Sequence, residues 1–454
     1  MLLFLLLAYS IPLDSPYLGY IEYLQVKGYI DIPSIQPYTI EWLTPELGNL
    51  LVEDTRLRTV DRKIVSYIAP LVIKNEDFSY LLHLNGTYES KPEYYYGFFD
   101  CAAGGALAEG IRYAFDIRFQ RGSEINVLGP EPWNDFQVYL HEGLMKFTTS
   151  KLHAEIGRRN FVLGYADNTN LLLSADPEGY DGYFISIPGR YYEFYTLFTI
   201  IDAAEQRYLA QHRIGLNLKG FLKLGFSEAI LWGNTLEPVY LNFLFPYYIS
   251  QWGIDRDDNV MWRIDGQIRL FNILAYTDVL IDDYQYEDNP DRPYPHKLAF
   301  TVGMKTVLAH SFLFKTHYTR VNKWVYTQRY PINVWHRNNR PLGNPLGNDA
   351  DELRVSVTYF SAYDVHPFVT LSHIRKGEGS IFLPYEEEGG SIHPPFPSGT
   401  VEKRIEFSVG VNYSLEKRIH ARGVVGTRSI DNYEHRAGDN RSDTFFEVGV
   451  WGIL

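Results

Sequence analysis

Arg404-Ile405-Glu406-Phe407-Ser408-Val409-Gly410-Val411-Asn412-Tyr413 alternates polar and apolar side chains over ten positions. Successive residues of a β-strand point to opposite faces, so this stretch predicts one greasy face and one carrying Arg404, Glu406 and Asn412. The same period of two recurs toward the N-terminus. Val355, Val357 and Tyr359 alternate with Arg354, Ser356 and Thr358. Leu298, Phe300, Val302 and Met304 alternate with Lys297, Thr301 and Lys305. Trp262, Ile264, Ile268 and Leu270 alternate with Arg263, Asp265, Gln267 and Arg269. Leu152, Ala154 and Ile156 alternate with Lys151, His153 and Glu155, and Tyr113, Phe115, Ile117 and Phe119 with Arg112, Asp116 and Arg118. On this pattern the period of two should begin near Ile64.

A soluble sandwich with its polar face in water shows the same alternation. Two features favour a membrane barrel. The runs span about nine to twelve residues, the length of a tilted transmembrane strand. The connections also differ in kind: Tyr413-Ser414-Leu415-Glu416 is tight, whereas Asp282 to Pro295, Trp335 to Asp351 and Arg375 to Val401 are long and rich in turn formers. Short turns on one rim and long loops on the other are the outer-membrane pattern. The fold class expected is all-β: a closed antiparallel transmembrane β-barrel over residues 61–454, with about 16 to 18 strands at roughly 20 to 24 residues each. The run Thr444 to Leu454 resembles the terminal strand that barrel-assembly machinery reads, with Leu454 in place of the usual aromatic.

Composition agrees. Aromatic residues make up 16% of the chain, which suits rings at a water–lipid boundary in contact with outer-membrane lipid. Mean hydropathy is -0.22, and no stretch reaches the ~18 apolar residues of a transmembrane helix. The single cysteine, Cys101, rules out an internal disulfide, and a net charge of -13 disfavours nucleic acid as a partner.

The N-terminal part has another rhythm. Residues 1–10, with Leu2 to Leu7 apolar before Ala8-Tyr9-Ser10, read as the remnant of a secretory signal. Residues 11–60 read as a small helical unit. Tyr17, Tyr20, Ile21 and Leu24 recur at helical spacing, Gly28 marks a stop, and Thr44-Pro45-Glu46 would open a second helix with Leu47, Leu50 and Leu51 on its apolar face. A unit this small cannot hold a durable core alone and should pack on the barrel.

No catalytic residue, metal site or cofactor is nominated. His141-Glu142 lacks the second histidine of a zincin, and no Gly-x-Ser-x-Gly elbow occurs. Asp255, Asp257, Asp258 and Asn259, or Asn348, Asp349, Asp351 and Glu352, are oxygen-rich enough for calcium, but such residues also favour turns. The inward faces are more informative. Arg112, Asp116, Arg118, Glu155, Arg159, Arg263, Asp265, Arg269, Arg354, Arg404 and Glu406 would point into the lumen. Both signs there suit a crowded interior laced with ion pairs better than an open pore. Among them Glu155, Arg159, Arg263, Asp265 and Arg269 are candidate contacts for an acidic sugar, and Trp324, Trp335 and Tyr385 are candidate loop aromatics that would stack on sugar rings. Arg158 falls on the apolar parity next to Arg159, so Arg159 should point inward and Arg158 should sit at the strand end.

Several stretches between Lys151 and Asp265 carry a resemblance: Gly157-Arg158-Arg159 through Gly164, Asn170-Leu171-Leu172-Leu173-Ser174, Gly225 through Glu228 to Trp232-Gly233, Glu237-Pro238-Val239-Tyr240-Leu241-Asn242, and Asp258 through Trp262. Together they resemble the capsule assembly protein Wzi family. The resemblance implies an outer-membrane barrel of about eighteen strands, in line with bacterial barrels. It implies a helical bundle closing the periplasmic mouth. It also implies a non-catalytic, lectin-like role in which surface or capsular polysaccharide is the partner. A porin for sugars or small solutes is the alternative, and it requires an open lumen.

Overall fold

The computed structural model describes residues 11, 15–36, 38, 43, 47–48, 50, 57–72, 78–90, 93–122, 133–134, 136–149, 151–166, 170–176, 178–189, 191–218, 220–285, 293–415 and 418–453. The signal reading at residues 1–10 and the helix start at Thr44-Pro45-Glu46 lie outside them.

Eighteen described strands close into one antiparallel barrel. They are β1 (Phe78–Ser90), β2 (Glu93–Ala108), β3 (Ile111–Gly122), β4 (Phe136–Thr148), β5 (His153–Arg159), β6 (Tyr180–Pro188), β7 (Tyr192–Asp202), β8 (Arg207–Leu218), β9 (Leu222–Trp232), β10 (Asn259–Leu270), β11 (Ile273–Asp283), β12 (Lys297–Leu308), β13 (Phe312–Val321), β14 (Ala350–Tyr359), β15 (Val365–Lys376), β16 (Glu402–Leu415), β17 (Ile419–Asp431) and β18 (Arg441–Ile453). Sequence neighbours pair, and β18 closes on β1 from Leu81↔Ile453 to Glu89↔Phe445. Closure leaves no edge, which is what lets a sheet stand in lipid.

The outward parity is apolar and uncovered: Ile156, Ile214, Val302, Ile405, Phe407 and Val448 are all exposed. Connections on one rim are short, from residues 109–110 to residues 360–364. Those on the other include 160–179, 233–258, 322–349 and 377–401. Exposed Tyr192, Phe312, Tyr359 and Tyr413 ring the short-turn rim, and Tyr88, Tyr95 and Trp133 lie toward the loop rim, as an aromatic girdle requires.

The period of two starts at Phe78, not at Ile64. Residues Thr59–Val72 are a helix, α2, which crosses the boundary expected at residue 61. Ile64, Tyr67 and Ile68 recur at i, i+3 and i+4 and are buried on one side, a helical stripe and not a strand parity. The first helix, α1 (Pro16–Val26), stops as expected at Gly28. Gly28 has φ +76°, its N–H bonds to the Gln25 carbonyl at 2.9 Å, and the Tyr29 N–H reaches Leu24 at 3.0 Å, the paired bonds of a Schellman stop.

Both helices sit inside the short-turn rim. Tyr17, Tyr20, Ile21, Leu24, Ile64 and Tyr67 are buried in one cluster with Leu43, Leu47, Leu81, Leu274, Val307 and Phe360. The Tyr20 hydroxyl is 2.8 Å from Ser414 Oγ on β16. The Tyr67 hydroxyl donates to Asp364 at 2.8 Å, in the turn before β15. Glu22 takes Lys305 of β12 at 2.6 Å and Lys315 of β13 at 2.9 Å. The greasy faces of α1 and α2 are covered by the barrel wall.

Candidate functional site

Much of the lumen is filled from both rims, with a cavity of about 200 Å³ left beside α1 and lined by Glu22, Lys315, Arg354 and Asn412. Beyond α1 the chain runs up inside the barrel, where Ile35–Gln36 pairs antiparallel with Val162–Leu163 from the connection after β5. That connection folds inward. Leu171, Leu172 and Leu173 are buried, and their backbone is gripped by the connection between β13 and β14. Trp335 Nε1 donates to the Leu172 carbonyl at 2.9 Å, the Tyr326 hydroxyl to Leu171 at 2.6 Å, and the Ser174 N–H to Leu342 at 2.8 Å. Arg337 donates to the Gly179 carbonyl and lies 3.5 Å from Glu178. Burial of His336, beside the Arg207 guanidinium, pulls its imidazole down to about 4, so this seam is neutral at that position under physiological conditions.

The charged inward residues form ion pairs within this filling. Arg213 of β8 donates Nε and Nη2 to the two oxygens of Asp265 at 2.9 and 2.8 Å, and Nη1 to Glu193. Arg263 donates Nε to Asp278 at 2.8 Å, with Nη1 3.7 Å from Asp265. Gly215 and Gly225 face each other across β8 and β9 and make the bed for Arg213, because a Cβ at Gly225 would lie 2.2 Å from its Nη2. Glu155 accepts from His153 at 2.7 Å and pairs with Arg159, whose Nε donates to the Asn160 carbonyl at 3.1 Å. Arg269 reaches the Gln25 carbonyl at 3.4 Å and so holds α1. The five inward candidates therefore fall into three separate places, and Glu155, Arg159, Arg263 and Asp265 are buried with protein partners. Arg213, Glu193 and Asp278 were missed, although Arg213 lies on the polar parity opposite Ile214 and Leu216. Arg158 sits one residue from the end of β5 and forks Asp181 at 2.7 and 2.6 Å on the outer surface, so the parity reading of this pair matches the structure.

The oxygen-rich loops are held by protein donors. Asp349 accepts from the N–H of Gly379 and Ser398 at 3.0 Å each, and Asp258 from Tyr240 and Arg256 at 2.8 Å each. Among the described residues Asp100, Asp116 and His141 bring ligand atoms within 4.8 Å of one another. Arg118 forks both oxygens of Asp100 at 2.7 Å, which makes that group an ion-pair network.

Three long connections meet at the loop rim. Tyr385 packs edge-on against Trp324 and Tyr294, with centroids 5.3 Å apart in both cases. Lys323 lies over the Trp324 ring and pairs with Glu388 at 2.5 Å. Phe396 covers the Arg320 guanidinium at 3.7 Å. Tyr385 and Tyr294 are half-buried, whereas Trp324 is buried with no acceptor for its Nε1 among the described residues. Trp335 is fully buried and belongs to the lumen seam, so only two of the three candidate aromatics come together. Tyr294 was not anticipated, since a lone tyrosine in a Pro- and Asp-rich loop carries no periodic signal.

No family model matches the chain, and comparison with curated proteins finds no match. Solved structures do match. Wzi, an outer-membrane protein involved in group 1 capsule assembly in Escherichia coli and described as a carbohydrate-binding β-barrel, aligns over 99% of both chains with a TM-score of 0.68 at 12% identity. A variant of OccD1 (OprD) aligns over 84% of this chain and 96% of its own, with a TM-score of 0.50 at 12% identity. OccD3 (OpdP) of Pseudomonas aeruginosa aligns over 84% and 91%, with a TM-score of 0.50 at 9% identity. At such identities the likeness is one of fold: the chain is an outer-membrane β-barrel, its eighteen described strands closed as in the barrel of Wzi.

Proposed function

We propose that the protein is a non-catalytic anchor for surface polysaccharide, capsular polysaccharide among it, held on the outer side of the outer membrane. The observation that carries this reading is the filled lumen. Helices α1 and α2 occupy the short-turn rim, and the seam of Trp335, Tyr326 and Leu171–Leu173 occupies the interior toward the loop rim. With the lumen occupied in this way, the aromatic faces open to a ligand are those of the half-buried Tyr294 and Tyr385 at the loop rim. Exposed aromatic faces are what sugar rings stack on. The carbohydrate binding recorded for Wzi supports the same reading.

A second reading, a channel for small solutes, is favoured by one feature: inward Arg354, Arg404 and Glu406 are only half-buried. Planar-bilayer recording separates the two. The anchor reading expects little steady conductance from the intact protein and a rise when residues 15–60 are deleted. It also expects retention of surface polysaccharide to fall when connection 377–401 is shortened. Large steady conductance in the intact protein, with retention unchanged by the shortened loop, would leave the channel.

A further inference from the structure

Only half of the motif Gly225–Asn242 and Asp258–Trp262 faces the lumen, where Ala229, Leu231 and Met261 join the filling; the other half faces outward. On β8, β9 and β10 the even-numbered positions point outward, as exposed Ile214, Leu216, Leu224, Phe226 and Ile264 show. The pairing of β9 with β8 and β10 runs without a bulge, so Ala210, His212, Glu228, Ile230, Trp232 and Trp262 lie on that same outer face. Yet Ala210, Ile230 and Trp232 are 0–2% exposed.

Their cover is the connection 233–258. It folds back over the outer wall and packs Tyr240 and Tyr247 onto them in a cluster of its own. Tyr240 meets Trp232 edge-on at 4.9 Å, Tyr247 lies on His212 at 4.5 Å, and Phe243 reaches Phe194 of β7 at 5.9 Å. The short helix α3 (Tyr247–Gly253) is seated on Glu228. That outward carboxylate accepts the N–H of Tyr247 at 2.6 Å and of Tyr248 at 3.0 Å, and the indole N–H of Trp262 at 3.1 Å. A carboxylate on the lipid face is costly unless it is paired, so the cover and the carboxylate require each other.

The outer surface of this cover is itself apolar. Leu244 is 74% exposed, and Ile249 and Trp252 are 63% each. Ile249 and Trp252 fall at i and i+3 on α3, and Phe245, 61% exposed, lies just ahead of it. From Pro238 to Gly253 the chain carries no Asp, Glu, Lys or Arg. Connection 377–401 of the same rim carries Glu378, Glu386, Glu387 and Glu388. The uncharged stretch begins where the exposed belt of Ile214, Phe226 and Ile264 ends, and it continues that belt toward the loop rim.

We propose that connection 233–258 is a lipid-embedded paddle: α3 lies on the outside of the barrel wall and presents Leu244, Phe245, Ile249 and Trp252 to the acyl chains of the outer leaflet. Its occupant is hydrocarbon, because the patch is continuous with the lipid-facing belt and has no charge with which to hold water or an ionic partner. The charged residues of the connection, Asp255 to Asp258 and Glu237, stand at its two ends, beside the strand tips.

The test uses the full chain in a Cys101→Ala background, reconstituted into phosphatidylcholine vesicles at low protein density. A bimane label is placed at Ile249→Cys or Leu244→Cys, with Ile264→Cys as the belt reference and Phe382→Cys as the loop reference. Heat-modifiable gel mobility first confirms that each variant is folded. The paddle expects emission at 249 and 244 to be quenched by acyl-brominated phosphatidylcholine as strongly as at 264, and to resist aqueous iodide as 264 does. Iodide quenching equal to that at 382 would place the segment in water and overturn the proposal. Protection from both quenchers, lost on dilution of protein in lipid, would assign the patch to a second copy of the chain and overturn it equally.

Discussion

Asp265 is the residue whose loss should cost the barrel most. Its side chain is wholly buried in the lumen, where it accepts two hydrogen bonds from Arg213 and faces Arg263 at 3.7 Å. In Asp265→Leu two buried guanidiniums confront each other with one carboxylate fewer. Two charge-assisted hydrogen bonds at about 1.5–3 kcal/mol each are lost. Removing one partner of a buried pair costs about 3–5 kcal/mol by the same logic, so the two estimates agree. At ~1.4 kcal/mol per decade, that shifts the unfolding equilibrium by about two to four decades. The double variant Arg213→Met/Asp265→Leu removes both charges of the pair and should recover part of the loss, since a buried pair exchanged for apolar side chains is often close to neutral, while Glu193 loses its Arg213 donor. Urea unfolding in detergent micelles, read by the mobility difference between folded and unfolded barrel, measures both. A single variant that costs less than about 1 kcal/mol, the level of an exposed ion pair, would refute the reasoning. So would a double variant no better than the single.

The plug should respond to pH at both extremes. Burial and the Asp61 carboxylate push the Tyr29 hydroxyl up to about 12, so its contribution is complete below the ordinary phenol value of 10.0 and fades as pH rises through about 12; bilayer conductance should rise over that interval and stay flat from pH 6 to 9. Burial raises the Asp61 carboxyl, but bonds from Lys27, the Arg58 N–H, Tyr23 and Tyr29 outweigh it and hold the group below 3.8. Its contribution is therefore present above that value and lost as pH falls through the lowered one, and Asp61→Asn should flatten the acid response of conductance. Trp335→Ala should cost about 3–5 kcal/mol in the same urea assay by opening the lumen seam. Tyr385→Ala, at a half-buried site, should leave stability within about 1 kcal/mol while weakening polysaccharide retention; equal effects of the two variants on retention would argue that the loop aromatics do no binding.

Much of the architecture is legible along the chain because it depends on neighbours. Strand alternation at residues 404–413, the stop at Gly28 and the split of Arg159 inward from Arg158 at the strand end all follow from where successive side chains point. The stretch Thr59–Val72 shows the limit of such counting. Its apolar residues fit a strand parity near Ile64 as well as a helical stripe, and only packing against the barrel mouth decides for the helix. Pairing lies beyond local periodicity altogether. Arg213 and Asp265 stand 52 positions apart and meet because β8, β9 and β10 lie side by side in register. Trp335 and Trp324 read alike as loop aromatics, but closure sends one into the lumen seam and leaves the other beneath the outer loop surface. The segment from Glu228 to Trp262, which carries part of the resemblance, gives no direction along the chain. Only the folded wall decides that it turns outward, because a carboxylate on the greasy parity needs a cover, and a loop without charge is the cover that lipid tolerates.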